Sequence, residues 1–411
     1  MRILFVTQWF QPETFSKGVP FIKKLMERGH EVQVLTGFPN YPSGKVYEGY
    51  KIKFLQKEVM EGIRVFRVPL YPSHDGSSFR RILNYTSYAL SALIIGPWVL
   101  DKADVIYVYH PPPTTYIPAF LLKLLKRIPV VIDMQDFFPD TLAATGMFNN
   151  KLGLRLVDAY CRLFYHAANK IAVLSPGFKR KLMDKGVPEE KIEIIYNWCD
   201  ETQIIAGQPH ESLLKELSFQ DKFNVLFAGN MGKAQRLETV LQAARILQPQ
   251  NHKILFTFIG GGIEVENLKK TASDLQLNNV QFLPARPRHE IGTVLNAADI
   301  LLVHLKEDPL FRITIPSKIQ AYMFVGKPIL AAVPGDASDL VEKAGAGLSC
   351  PSENPQRLAD SILAFARMSK EERMAMGLRG REHYMQNLSM KAGVDHFERI
   401  FRECIEQRKS R

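Results

Sequence analysis

Residues 311–328 read FRITIPSKIQAYMFVGKP, from Phe311 to Pro328, and the rest of the chain can be placed around them. An apolar run ending at Leu305 gives way to a polar loop. Pro316-Ser317 then opens a helical pattern that Gly326-Lys327-Pro328 closes, so the order is strand, loop, capped helix. Proline suits the first turn of a helix because its missing N–H needs no partner there, and the serine beside it can cap. The free N–H groups of such a terminus, with Lys318 in the first turn and Arg312 just upstream, form an anion site. Taken alone, the same residues also fit an ordinary helix start with solvated cations.

Working outward, the second half of the chain is a run of β/α units. FNVLFAGNMGKAQRLETVLQAARIL starts with a buried strand at Asn224 to Ala228. Gly229-Asn230-Met231-Gly232-Lys233 follows, a glycine-bearing loop whose backbone amides and lysine can approach a diphosphate. It is not a Walker loop, because the GxxxxGK[ST] spacing fails. ILFTFIGGG, NVQFLPARPRHEI and ILLVHL supply further strands before residues 311–328.

This ordered series resembles the nucleotide-binding domain of the GT-B glycosyltransferases of retaining family 4, and residues 311–328 resemble their nucleotide-sugar-binding segment. The resemblance implies an α/β protein with two Rossmann-like doubly wound domains facing a cleft. It also implies that the FLPARPRHEI region meets the base through its backbone, which puts Arg286 among the nucleotide-sugar-binding residues. Gly229, Asn230, Lys233, Arg312, Pro316, Ser317 and Lys318 would hold ribose and diphosphate. One departure matters: the two glutamates common in the family fall, counting back from Gly326, on Ile313 and Ala321. A carboxylate that accepts ribose hydroxyls is not replaced by alanine without rerouting those bonds, and Gln320 or backbone is the candidate substitute. A PSKIQAY-like block occurs in the subgroup acting in O-antigen, capsule and colanic-acid assembly, which implies a lipopolysaccharide or capsule pathway and a donor such as an N-acetyl-L-fucosamine nucleotide.

In the first half, Arg2 to Thr7 is an almost unbroken apolar run, as in a strand covered on both faces. The loop QWFQPETFSKG, a helical pattern in VPFIKKLMERGH and a second strand follow. The dinucleotide fingerprint GxGxxG is absent, which disfavours a nicotinamide or flavin enzyme. Gly18 at the helix entry permits close backbone approach. Together with GHEVQVLT and FPNYPSGKVYEGY it resembles the family's opening, where a first-loop glycine faces the sugar diphosphate. Later strands end at His110, Asp133, Asp136 and Asp140, near one sheet edge, where open α/β sheets bind ligands. A histidine there can orient a hydroxyl and a carboxylate can bind sugar or acceptor, so His110 and Asp136 are the catalytic candidates. Loop and helix capping is the competing reading for each.

Ile82 to Leu100 has no charged residue and is long enough to span a bilayer. Asn84, Thr86, Ser87, Ser91, Gly96 and Pro97 lie within it, and it joins two strands of one sheet. A crossover helix, buried or lying in a membrane interface, fits better. After Asn197 the pattern weakens. The expected division is an acceptor-binding domain over 1–200, a nucleotide-sugar-binding domain over 201–388, and a last helix over 389–411. That helix crosses back to the first domain in GT-B proteins; a simple surface helix is the alternative.

With 411 residues the chain can bury two cores. Its net charge of +11 favours anionic partners, but no aromatic-and-basic module for nucleic acid appears, so no nucleic-acid partner is expected. Four widely spaced cysteines without a CxxC pair fit a reducing cytoplasm, and the opening lacks signal-peptide regions. No DxD pair occurs, so no metal and no cofactor is expected. The combined expectation is a retaining, metal-independent transferase. It takes sugar from a UDP-sugar substrate to a polyprenyl-diphosphate-linked saccharide at the inner membrane surface. An epimerase or phosphorylase on the same fold is one rival. A catalytically decayed membrane-associated scaffold subunit is the other, given weight by the missing glutamates.

Overall fold

The computed structural model describes every residue except 14–16, 74–77, 145–149, 205–206, 251–252 and 411. The chain forms two compact units, Met1–Ile195 with Val394–Arg411, and Tyr196–Gly393.

In the first unit the order is β1 (Arg2–Val6), α1 (Val19–Glu27), β2 (Glu31–Gly37), β3 (Gln56–Met60), β4 (Ile63–Val68), α2 (Ser78–Val99), β5 (Val105–His110), α3 (Tyr116–Lys126), β6 (Val130–Met134), α4 (Asp140–Ala144), α5 (Lys151–Ala167), β7 (Lys170–Val173), α6 (Pro176–Asp184) and β8 (Ile192–Ile194). The strands lie in the order β3-β4-β2-β1-β5-β6-β7-β8, all parallel except the β3–β4 pair. Strands covered on both faces need apolar residues throughout, and β5 is buried at every position. On one face Phe21 of α1 packs against Tyr107 and Phe397. Phe397 belongs to the C-terminal segment, which also pairs Asp395 and Glu398 with Arg28 and Glu403 with Lys170.

The second unit runs α7 (Glu211–Glu216), β9 (Phe223–Ala228), α8 (Glu238–Leu247), β10 (Ile254–Ile259), α9 (Val265–Asp274), β11 (Val280–Leu283), α10 (Arg288–Ala297), β12 (Ile300–His304), α11 (Ser317–Val325), β13 (Ile329–Ala332), α12 (Asp336–Lys343), β14 (Gly347–Ser349), α13 (Pro355–Arg367) and α14 (Lys370–His383); α15 (Met390–Lys409) begins in this unit and ends in the first. Its sheet is wholly parallel, in the order β11-β10-β9-β12-β13-β14. Successive residues of a strand point to opposite faces. Leu226, Leu301 and Ile329 therefore join Tyr322 and Met323 in one core, while Val225, Phe227 and Leu302 join Val240 and Ile362 in the other. Each such buried side chain contributes roughly 1.5–3 kcal/mol.

In both sheets the winding reverses beside the first strand of the unit, between β1 and β5 and between β9 and β12. Such reversals leave a crevice outside the carboxyl ends of the strands. The loop after β1 is fixed there by buried charge. Lys17 Nζ reaches both oxygens of Asp133 at 2.8 and 3.1 Å, with both side chains nearly inaccessible. Arg67 donates to the Gln11 carbonyl, and Glu13 accepts the backbone N–H groups of Phe10, Asn40 and Tyr41.

Replacing Lys17 with Met leaves the Asp133 carboxylate buried without its cation, and the expected loss is about 3–5 kcal/mol in urea unfolding. An unchanged midpoint would show that the pair does not hold the loop.

Candidate active site

At the carboxyl end of β9 the chain turns sharply through Gly229 and passes close to the loop after β10. Gly229 N–H donates to Ile259 O, and Met231 N–H donates to Gly261 O, both at 2.8 Å. A Cβ on Gly260, whose φ is +144°, would lie 2.1 Å from Gly229 O. Only glycine lets the two loops meet backbone to backbone.

Helix α11 is docked onto this corner from the β12 side. The Tyr322 hydroxyl accepts the Ala228 N–H at 3.1 Å, and Gly326, at φ +77°, ends the helix in the left-handed conformation. One turn before Tyr322, Lys318 places its Nζ 4.7 Å from the centre of the Phe227 ring. The same Nζ lies 2.9 Å from where a Cβ on Gly229 would stand. Burial pushes the Lys318 ammonium down to about 8, and no carboxylate opposes that shift. Among the described residues nothing forms an ion pair or hydrogen bond with it. An unpaired ammonium held against glycine backbone, at a helix N-terminus with no side-chain cap, is arranged to receive an anion.

The other expected contacts divide. Gly229, Asn230 and Lys233 are exposed around the same corner, and no ion pair to Lys233 is present among the described residues. Pro316 occupies the N-cap position, and Ser317 is the first helical residue and makes no capping bond. Ser317 therefore does not cap, because it already lies inside the helix. Gln320 is buried, and with its amide assigned by hydrogen bonding it donates to the carbonyls of Pro316 and Ser317. That amide nitrogen is turned into its own helix, not outward as a ribose partner. Arg286 pairs with Glu216, and Arg312 pairs with Glu307 at 2.6 Å, so both cations already have acidic partners. Ile313 lies in a single 3-10 turn and Ala321 packs on the core.

In the first unit the four groups at the strand ends also divide. Asp133 is held by Lys17, the Tyr107 hydroxyl and Gln135, and Asp140 by Lys181; neither is free for a ligand. Asp136 is half-buried, its carboxyl raised by burial, with no hydrogen bond or ion pair among the described residues. Tyr85 senses its charge and also those of Arg81 and Tyr41. Trp9 lies 4.7 Å from Tyr41 and 6.4 Å from Tyr85, ring centre to ring centre, so a half-exposed aromatic group borders the carboxylate.

His110 is fully buried between Tyr116 and Phe138 and is pushed down to about 3 by burial alone. Neither ring nitrogen has a partner among the described residues. It is thus a neutral imidazole that a ligand reaches only after its surroundings move. Gly18 is buried too, and its open side is filled: a Cβ there would meet the Gln11 amide at 2.3 Å. What approaches Gly18 is a side chain of its own loop. Among the described residues no cluster of three His, Cys, Asp or Glu is arranged to hold a metal ion.

Sequence reading missed Tyr322, whose hydroxyl aims α11, and the buried Glu13, Lys17 and Arg67. Tyr322 follows Lys318 by four residues, the spacing that puts two side chains on one helical face, and this signal was available. The other three sit among ordinary loop and strand residues and carry no local mark.

Comparison with known proteins agrees with this architecture. A family model described as "Glycosyl transferases group 1" matches residues 211–383, and one described as "Glycosyl transferase 4-like domain" matches residues 21–198. The chain is a glycosyltransferase. This glycosyltransferase is 29% identical to the "Putative colanic acid biosynthesis glycosyl transferase WcaI" of Escherichia coli, over 79% of its own length and 82% of the relative's. It is 26% identical to the "Probable glycosyltransferase WbjE" of Pseudomonas aeruginosa, over 70% and 72%. Its fold matches that of Anabaena Alr3699/HepE, solved in complex with UDP, with a TM-score of 0.68 at 16% identity, covering 98% of this chain and all of that one. An E. coli trehalose-6-phosphate structure bound with UDP-2-fluoro glucose gives a TM-score of 0.73 at 14% identity, over 98% and 99%.

Gly260→Ala forces the two loops apart. It is expected to cost about 1–3 kcal/mol from backbone strain alone, read as a lowered thermal midpoint. A wild-type midpoint would contradict the close backbone approach.

Proposed function

We propose that this glycosyltransferase takes its sugar from a nucleoside diphosphate, UDP foremost, and that the second unit binds this donor. The observation that carries the reading is the unpaired ammonium of Lys318, half-buried beside Gly229 at the start of α11. As the glycosidic bond breaks, negative charge grows on the leaving diphosphate. Fixed donors aimed at that charge are the main electrostatic requirement of the reaction. Lys318, the N-terminus of α11, the Gly229 loop and Lys233 would supply it without a metal. Arg286 and Arg312 join only if they exchange their present partners for phosphate or base.

The acceptor falls to the first unit. There Asp136 accepts a hydroxyl hydrogen bond beside Trp9, Tyr41 and Tyr85, and His110 serves as a second polar contact once uncovered. Retention of anomeric configuration is carried over from the family resemblance, and no enzymic nucleophile is assigned. The colanic-acid name of one relative favours surface polysaccharide assembly, with a saccharide on polyprenyl diphosphate as acceptor and an amino- or deoxy-sugar such as N-acetyl-L-fucosamine as the transferred residue. Such an acceptor would place the enzyme at the inner membrane face. No helix among the described residues is long and apolar enough to cross a membrane, and α2 exposes Leu90, Ile94 and Trp98 along one side.

Calorimetric titration with UDP, GDP, ADP and uridine in EDTA tests the donor site. UDP is expected to bind without metal and much more tightly than uridine. Lys318→Ala should weaken UDP about tenfold to a hundredfold, the worth of a hydrogen bond to a charged group, and leave uridine nearly unchanged. Equal loss for both ligands would contradict the role of Lys318. Failure to bind any of them would favour the scaffold reading.

A further inference from the structure

A basic cavity of about 590 Å³ lies in the first unit at the amino ends of its strands, the opposite edge of the sheet from His110 and Asp136. Arg2 at the start of β1, Lys102 and Asp104 before β5, Lys126 at the end of α3, and Arg408 and Lys409 at the end of α15 line it. Asp104 is the only acid among these lining residues, and Arg2 already neutralises it at 2.6 Å. Lys102, Lys126, Arg408 and Lys409 have no ion pair among the described residues. Lys126 Nζ donates to the Leu100 carbonyl at 3.1 Å, which ties the end of α3 to the end of α2 at the cavity wall. Several unneutralised cations converging on one concavity attract a multiply charged anion such as a phosphate.

The helix ends that lead into the lining residues Leu100 and Lys126 show where that phosphate comes from. Trp98, at the end of α2, is 88% exposed, and Leu124 and Leu125, at the end of α3, are 75% and 61% exposed. Trp98 continues a stripe through Leu90 and Ile94, spaced four residues apart and so on one helical face. Neither α2 nor α3 contains an Asp or Glu. A free metabolite gains nothing from apolar side chains standing in water around its pocket. A bilayer interface does, because tryptophan and leucine enter the acyl boundary while cations meet the headgroups.

We propose that this cavity binds the phosphate of an anionic membrane phospholipid, with Trp98, Leu124 and Leu125 entering the interface beside it. The proposal deepens the membrane-surface reading given above by naming the site and the lipid chemistry. Nucleotide-sugar binding in the second unit does not depend on it.

The test is flotation of the full-length protein with vesicles of phosphatidylglycerol in phosphatidylcholine, and of phosphatidylcholine alone. Lys102→Glu/Arg408→Glu, Trp98→Ser and Arg245→Glu, a charge reversal on α8 of the other unit, are compared with wild type. Thermal unfolding of the same preparations confirms that each variant is folded, and UDP titration that its second unit is intact. Wild type should float with the anionic vesicles only. The cavity double variant should bind them about tenfold or more weakly, Trp98→Ser should be weakened as well, and Arg245→Glu should match wild type. Binding to anionic vesicles that is indifferent to the cavity variants would overturn the site while leaving the membrane reading in place. Equal flotation with phosphatidylcholine alone would overturn the phosphate contact. If the charge reversal acts but Trp98→Ser does not, and glycerol phosphate displaces the protein from vesicles, the cavity is a site for free phosphate esters and the lipid assignment fails. No flotation with either vesicle, alongside intact UDP binding, would remove both the site and the membrane reading and leave the donor site standing.

Discussion

The second unit is organised around a half-buried ammonium group that has no counter-ion among the described residues. Burying a cation is costly unless something compensates it, and Lys318 is held in that state from two directions. The Tyr322 hydroxyl fixes α11 to the Ala228 backbone one turn away, and the face of Phe227 lies beneath Nζ. The remaining open side is Gly229, where a side chain would collide with the lysine. Parallel order, the reversal of winding between β9 and β12 and the close approach of the Gly229 and Gly260 loops all serve to bring this one cation to the strand ends.

The first unit uses charge differently. Lys17 with Asp133 and Glu13 with three backbone N–H groups are buried, compensated and structural; they shape the loop after β1. Asp136 and the imidazole of His110 are left without partners at the same sheet edge. Polar groups that are buried yet unsatisfied are uncommon in folded proteins and call for an explanation. A ligand's hydroxyl groups would provide one. With the nucleotide proposed for the second unit, the first is the natural place for it.

How much of this was legible in the sequence follows from how local each signal is. The repeated β/α units, the glycine turn after β9 and the start of α11 are written in consecutive residues, and the structure has them. That the chain is a glycosyltransferase also followed from their order. Roles for individual side chains were less legible, because a partner distant in sequence decides them. Arg286 is taken by Glu216 and Arg312 by Glu307. Gly18 is covered by Gln11, and Gln320 turns back on its own helix. In the sequence, Lys233 in the glycine loop and Lys318 in the first turn of α11 are equally plausible cations for a diphosphate. Only packing separates the exposed Lys233 from the half-buried Lys318, whose charge is costlier to hold and therefore informative.

In the proposed donor site Lys318 is an ammonium destabilised by partial burial that a diphosphate restores. Its titration can be followed directly by NMR of the lysine side chain, labelled at Cε and assigned with Lys318→Arg, in the free protein and with UDP. A midpoint near 8 is expected in the free protein, moving up toward or beyond the ordinary lysine value of about 10.4 when UDP is bound. An ordinary midpoint in the free protein that UDP leaves unchanged would contradict it.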